Sequence, residues 1–351
     1  MIASGPEGRS AFLFYTTLLL SGSDVFYESY VSEGDGKSFG VPKVLPFKDS
    51  FDGGVRTHLS VIAAFFHRKT GRWILFCLYQ HYSDEKTPIL RGGIALSEPV
   101  WMEFDPETCK EGYVYSADSR FFRPCPLPFP FKALCAVPHG QIIEEDDGSL
   151  LCTFYFTTEE HIKPGVLTVK YGMTDRGPEI ERFGEPLFAD EHARGLTEPS
   201  LARLNGRYYL TLRSDEIGLL SESADGFSFS EPQPWRWDDG EILKNYNTMQ
   251  RWIRFPDALY LAYTRAGAHN DHVFRHRAPL FMTRFDTEAR RLVREDEVIL
   301  VPELGARLGN FSVAERSAGE SWLTTAEWMQ PAGCEKYGSD NSVWLVKIGK
   351  G

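Results

Sequence analysis

A short antiparallel unit recurs along this chain, and it limits the chain to a small set of folds. The clearest copy is residues 197–233, TEPSLARLNGRYYLTLRSDEIGLLSESADGFSFSEPQ. Residues 200–204 predict a strand, Asn205-Gly206 supplies the positive φ angles of a two-residue hairpin, 207–213 predict a second strand and 218–222 begin a third. Ser223, Asp225, Gly226 and Phe227 then predict a second turn, built from a hydroxyl, a capping aspartate, a left-handed glycine and an aromatic lid. The same grammar returns in 138–156 around Asp147-Gly148 and in 247–265 around Pro256-Asp257. It returns more weakly in 55–79 around Lys69-Thr70-Gly71 and in 310–328 around Ala318-Gly319. Such a sheet cannot bury both faces alone, so copies at intervals of roughly 50 to 80 residues predict blades packed side by side around an axis.

The expected class is therefore all-β: a single β-propeller of four-stranded antiparallel blades spanning residues 1–351. Six blades is the first choice, with five or seven as alternatives because the first and last units are incomplete. The ring is expected to close through its termini, with outer strands 12–20 and 24–32 and the turn 34–39 completed by 342–348. No long stretch keeps a helical period. Residues 123–131, RPCPLPFPF, read as an ordered loop packed across the ring.

Composition suits one such ring: 351 residues, 42% hydrophobic and 14% aromatic, can bury a large core. The net charge of -11 argues against a nucleic-acid partner, because phosphate binding needs a basic surface. Cys77, Cys109, Cys125, Cys135, Cys152 and Cys334 form no CxxC pair, and buried free thiols are expected rather than disulfides. The apolar stretch 11–20 is too short to span a bilayer and lacks a basic flank and a small-residue cleavage site, so it reads as a strand. A cytoplasmic protein with no membrane partner is expected, a secreted mature form being the alternative. No glycine-rich strand-to-helix turn is present, and no cofactor is expected.

In a propeller, the starts of the innermost strands and the ends of the second strands share one face around the central funnel. Strand starts bring Arg56, His58, His139, Glu198, Asn247, Gln250 and Asn310 there; second-strand ends bring Gln80, His81, Arg213, Asp215, Tyr263, Arg265, Glu327 and Trp328. The loop 266–277 adds His269, Asn270, Asp271, His272, Arg275, His276 and Arg277. Taken singly, arginines and acids at strand ends are commonly solvated or ion-paired. Together they line one concave opening, where a propeller binds ligand. His269, Asp271, His272 and His276 have no spacing diagnostic of a metal, and hydrogen bonding to a substrate accounts for them equally well.

The 223–227 turn resembles a degenerate Asp-box, the turn of sialidase-like propellers. Val55-Arg56-Thr57-His58 is similar to the arginine motif of that superfamily's first inner strand. Glu198 with Arg213 resembles its glutamate, hairpin and arginine arrangement. The resemblance implies three arginines holding a carboxylate, the third drawn from Arg265, Arg277 or Arg251, in bidentate guanidinium pairing. It also implies a nucleophilic tyrosine in the last blade, where this chain reads Gly309-Asn310-Phe311-Ser312, and an aspartate, for which Asp84 is the nearby candidate.

Two reactions fit these residues. Hydrolysis of a glycoside would use Glu198 with Asp215, Asp271 or Glu327 as acid and base, and Tyr263 as a candidate nucleophile. Arg56, Arg213 and Arg265 would hold an acidic group, with His81, Asn247, Gln250, Asn270, Arg277 and Asn310 as further substrate contacts. β-Elimination from a uronic acid would instead use His139, His58, His272 or Tyr263 to abstract a proton acidified by arginine. A non-catalytic carbohydrate-binding propeller is the third reading, with Trp252, Trp322 or Trp328 stacking on sugars. Hydrolysis of an anionic glycan ranks first, because the Glu198 and Arg213 spacing is the most specific signal.

Overall fold

In a computed structural model the described residues form six larger antiparallel sheets taken in sequence order, with a separate two-stranded ribbon of Leu90–Arg91 and Ile94–Ala95. The structure describes residues 2–5, 11–18, 26–45, 50–84, 87–91, 94–95, 97–104, 123–124, 133–135, 141–189, 192, 194–215, 217–246, 248–270, 277–328 and 334–350. Blade one comprises Ile2–Ser4, Ala11–Leu18, Phe26–Gly34 and Lys43–Val44. Blade two comprises Val55–His67, Arg72–Tyr82, Ser97–Phe104 and Arg123–Pro124, with Ser50–Asp52 added on the inner edge. In blade three, Ala133–Cys135 and Ile143–Glu144 both pair with Leu150–Thr157, followed by Gly165–Thr174 and Gly177–Phe183. Blade four is Thr197–Leu204, Arg207–Arg213, Gly218–Ser223 and Gln233–Pro234. Blade five is Arg251–Phe255, Ala258–Tyr263 and Leu280–Asp286, with Arg291–Leu292 and Val298–Val301 outermost. Blade six is Arg307–Leu308 with Ser312–Ser317, then Glu320–Trp328 and Val343–Gly349.

Strand alternation explains why these sheets stack. Successive side chains point to opposite faces, and each blade is covered on both, so its inner strands are apolar almost throughout. In blade three Leu150, Cys152 and Phe154 pack against blade two, while Leu151 packs against blade four. Every neighbouring pair of blades has its own buried cluster, down to Ile2 and Ala11 of blade one against Trp322 of blade six. Six such interfaces close a ring, and the fold is a six-bladed propeller.

The closure differs from the expected shared blade. Val343–Gly349 pairs with Glu320–Trp328 inside blade six, and Ile2–Ser4 provides blade one with its own innermost strand. Three residues suffice because the ladder to Ala11, Phe12 and Leu13 is backed by the bond from the Ile2 amide to Ser312 Oγ, 3.0 Å across the junction. Of the apolar stretch 11–20, Ala11–Leu18 forms a strand. Arg123–Pro124 is a short edge strand, and the remainder of the proline-rich 123–131 stretch lies outside the described residues. Cys77, Cys152 and Cys334 are buried free thiols.

The predicted turns form. Asn205 and Gly206 take φ of 49° and 76°, the pair of left-handed steps of a tight hairpin. In the second turn, Asp225 Oδ1 accepts from the Phe227 and Ser228 amides at 2.8 and 2.9 Å and from Ser223 Oγ at 2.9 Å. Those bonds hold the Asp225 carboxyl below its ordinary range. Gly226 sits at φ 79°, and a Cβ there would meet Leu151 of blade three at 2.9 Å, so the turn is also a seam between blades. Replacing Asp225 with alanine should cost about 2 kcal/mol, the net worth of its lost hydrogen bonds, read by urea denaturation. An unchanged midpoint would show that the turn is not held by this side chain.

Candidate active site

The first-to-second strand turns of blades two to six lie at one end of the ring, which puts the predicted site residues at the other. A cavity of about 840 Å³, lined by the innermost strands of all six blades, opens at the turn end, among Arg68, Asp146, Asn205, Pro256 and Ala318. That mouth is opposite the polar constellation, and the site is assigned by chemistry rather than by cavity size.

At the polar end the best-defined element is the Glu198–Arg213 pair. A register irregularity separates the Thr197–Arg213 and Ser200–Thr211 pairings, and within it Glu198 adopts φ 42°. A non-glycine residue in that region is disfavoured and persists only where its surroundings hold it. Arg213 Nη1 donates to Glu198 Oε2 at 2.5 Å, with both side chains 11% exposed. Arg251, the first residue of the neighbouring blade's innermost strand, is fully buried close by and donates through Nη1 to the Pro199 carbonyl at 3.3 Å. Its Nε and Nη2 find no hydrogen-bond partner among the described residues. Burial pulls this guanidinium down to about 10, opposed by the Glu198 carboxylate and by Tyr155, so it stays cationic at neutral pH. Two guanidinium groups thus flank one carboxylate, and the local balance is positive within an acidic chain.

Around this pair the other blades contribute in unequal ways. Arg56 is 3% exposed, with its guanidinium 4.8 Å from the centre of the Tyr82 ring, its cross-strand partner. His58 is buried opposite Gln80, and His81 Nδ1 lies 3.1 Å from Thr57 Oγ1. On the connection that follows blade five's second strand, Arg277 donates to Asn310 Oδ1 at 2.6 Å, joining blades five and six at the mouth. Asp215 accepts from the Arg194 amide at 3.2 Å.

Several expected site residues are structural instead. Tyr263 is fully buried, its hydroxyl donating to Glu297 Oε1 at 2.6 Å. Burial together with that carboxylate pushes its phenol far above the usual range, the opposite of what a nucleophile or base needs. Arg265 makes a bidentate pair with the same Glu297, at 2.8 Å through both Nε and Nη2, and is not available as a third anion binder. Asn270 is fully buried and staples its loop, accepting from Tyr246 and the Ala268 amide and donating to the Arg265 and Ala278 carbonyls. Gln250 is fully buried as well, bonded to Thr211 Oγ1 and the Thr248 carbonyl. Glu327 accepts from the Asp340 and Asn341 amides and from Trp344 Nε1, fixing the connection between blade six's second and third strands. Trp252 and Trp322 are core residues rather than sugar platforms. His139, Asn247, Asp271, His272, Arg275 and His276 lie outside the described residues.

Sequence reasoning passed over Glu297, whose two partners are 32 and 34 residues away, and Arg307, which opens blade six's innermost strand opposite Trp328. The strand-start rule would have found Arg307 had the last unit been begun two residues before Gly309. Among the described residues no group of three or more His, Cys, Asp or Glu could hold a metal ion, and no helix is long and apolar enough to cross a membrane.

No family profile matches the sequence, and no curated protein matches it. Solved structures do. A protein of unknown function from Dyadobacter fermentans aligns over 99% of this chain and 93% of its own, with a TM-score of 0.66 and 14% identity. The Trypanosoma rangeli sialidase, solved with the inhibitor DANA, aligns over 99% of this chain with a TM-score of 0.62 and 12% identity, and this chain spans 54% of it. The intramolecular trans-sialidase of Ruminococcus gnavus, solved with oseltamivir carboxylate, aligns over 99% of this chain and 93% of its own, at 0.57 and 11% identity. The chain has the sialidase-like propeller fold.

Proposed function

We propose that this chain is a carbohydrate-active enzyme that binds an anionic sugar at the polar end of the ring and hydrolyses its glycosidic bond. The observation that carries the reading is the Glu198–Arg213 pair, 2.5 Å apart, on a strained backbone and backed by the buried Arg251. A guanidinium's planar fork can hold Glu198 along one edge and a ligand carboxylate along another. Arg56, Arg213 and Arg277 are the anion binders, Arg277 taking the place expected for Arg265. Glu198, beside the bound sugar, serves as the acid/base or polarising group, a role that suits a carboxylate fixed by charge-assisted bonds. That proteins of the same fold include a sialidase and a trans-sialidase agrees with an acidic sugar as substrate.

Asn310 favours one second reading. It lies in the stretch Gly309-Asn310-Phe311-Ser312, where the family resemblance implies a nucleophilic tyrosine, and a site without that group suits binding without turnover. Elimination is weakened by the engagement of Tyr263 with Glu297. Incubation with a panel of acidic oligosaccharides, reading new reducing ends and the ultraviolet absorbance of unsaturated uronates together, separates these cases. Reducing ends without absorbance support hydrolysis. Absorbance contradicts it in favour of a lyase, and silence with measurable binding contradicts it in favour of a lectin-like propeller.

A further inference from the structure

Among the described residues, blade two alone carries a further strand on the inner edge of its long innermost strand. Ser50–Asp52 pairs with the start of Val55–His67 on the edge away from Arg72–Tyr82, and that edge faces the ring axis. The two strands are joined by Gly53-Gly54, both left-handed at φ 55° and 84°, with nothing within 4 Å of the position a Cβ would take. The tip of the hairpin therefore lies in open space at the polar end. Phe51 is the Cα partner of Arg56, and Arg56 is in turn the partner of Tyr82. Residues directly opposite in antiparallel strands share a face and lie about 5 Å apart at Cβ. Phe51, Arg56 and Tyr82 thus form one row, running from the axis outward. Arg56 leans onto Tyr82 and is buried, whereas Phe51 is 67% exposed.

A ring this exposed adds little to the burial energy of the fold and is open to pack against a ligand. Its place beside an arginine of the anion site gives it a use. We propose that Phe51 is the platform of a second sugar subsite, stacking on the apolar face of the ring joined to the anionic sugar. Sugar rings present a face of C–H groups that packs well on an aromatic, and a rigid two-χ side chain loses little entropy in doing so. The subsite rests on the acidic-sugar reading above, and it adds that the protein selects an extended glycan over the free acidic monosaccharide.

Calorimetry with N-acetylneuraminic acid and with 3′-sialyllactose, on the wild type, Phe51→Ala, Phe51→Trp and Arg213→Ala, tests both levels separately. The trisaccharide should bind the wild type about fivefold or more tighter than the monosaccharide, as aromatic stacking allows. Phe51→Ala should abolish that advantage and leave monosaccharide affinity unchanged, and Phe51→Trp should keep it. A preference for the trisaccharide that survives in Phe51→Ala, while Arg213→Ala loses both ligands, overturns the subsite and leaves the acidic-sugar reading standing. Absence of binding by either sugar to the wild type overturns both for sialylated glycans.

Discussion

Replacing Arg213 with alanine should weaken binding of a carboxylated sugar about a hundredfold, a loss of about 3 kcal/mol, and bring turnover below detection. The size follows from what the guanidinium does twice. It is proposed to hold the ligand carboxylate, and it orients Glu198 through the 2.5 Å bond from Nη1. Removing one member of a shielded ion pair ordinarily leaves the other uncompensated and destabilises the fold. Here Arg251 remains beside Glu198, so thermal stability should fall far less than function. Arg213→Lys keeps the charge without the planar fork and should recover little of the affinity. Wild-type affinity in Arg213→Ala would place the anion site elsewhere.

The largest effect on stability is expected at Trp252, where truncation to alanine should cost about 4 kcal/mol in urea denaturation. The side chain is fully buried between blades four and five, with ring centres 5.6 Å from Trp235, 5.5 Å from Phe285 and 6.3 Å from Tyr209. Its indole Nε1 donates to the Ser200 carbonyl at 3.0 Å. Gln141 of blade three bonds both its amide and its carbonyl, so one residue ties three consecutive blades. Trp252→Phe keeps most of the packing but loses the Ser200 bond, and it should fall between the wild type and the alanine variant. A cost below about 1 kcal/mol for Trp252→Ala would mean that the interface between blades four and five collapses around the gap.

The blade architecture was legible because it is written locally. Asn205-Gly206 needs two left-handed steps and Asp147-Gly148 needs one at the glycine, and period-two strands flank both turns. The pairing of Glu198 with Arg213 was legible for the same reason, since a tight hairpin fixes which strand start meets which strand end. What escaped depended on register or on distant partners. Ile2–Ser4 is too short to announce itself as a strand, and only the groups it meets in blade six make it one. Gln250 and Arg251 adjoin in sequence, and alternation cannot say which of them turns toward Glu198. The structure gives Gln250 to Thr211 and Thr248 and places Arg251 beside the carboxylate. Tyr263 and Arg265 sit at a strand end like true funnel residues, but a carboxylate from the outer edge of the same blade claims both.

The most direct test of the central claim compares the unsaturated sialic acid analogue DANA with its methyl ester by calorimetry on the wild-type protein. The two differ in a single negative charge and have nearly the same shape. If Arg56, Arg213 and Arg277 form a carboxylate site, the acid should bind at least about tenfold more tightly than the ester, with a difference that shrinks as salt is raised. Equal affinity for acid and ester would contradict an anion-binding site at the polar end of this propeller.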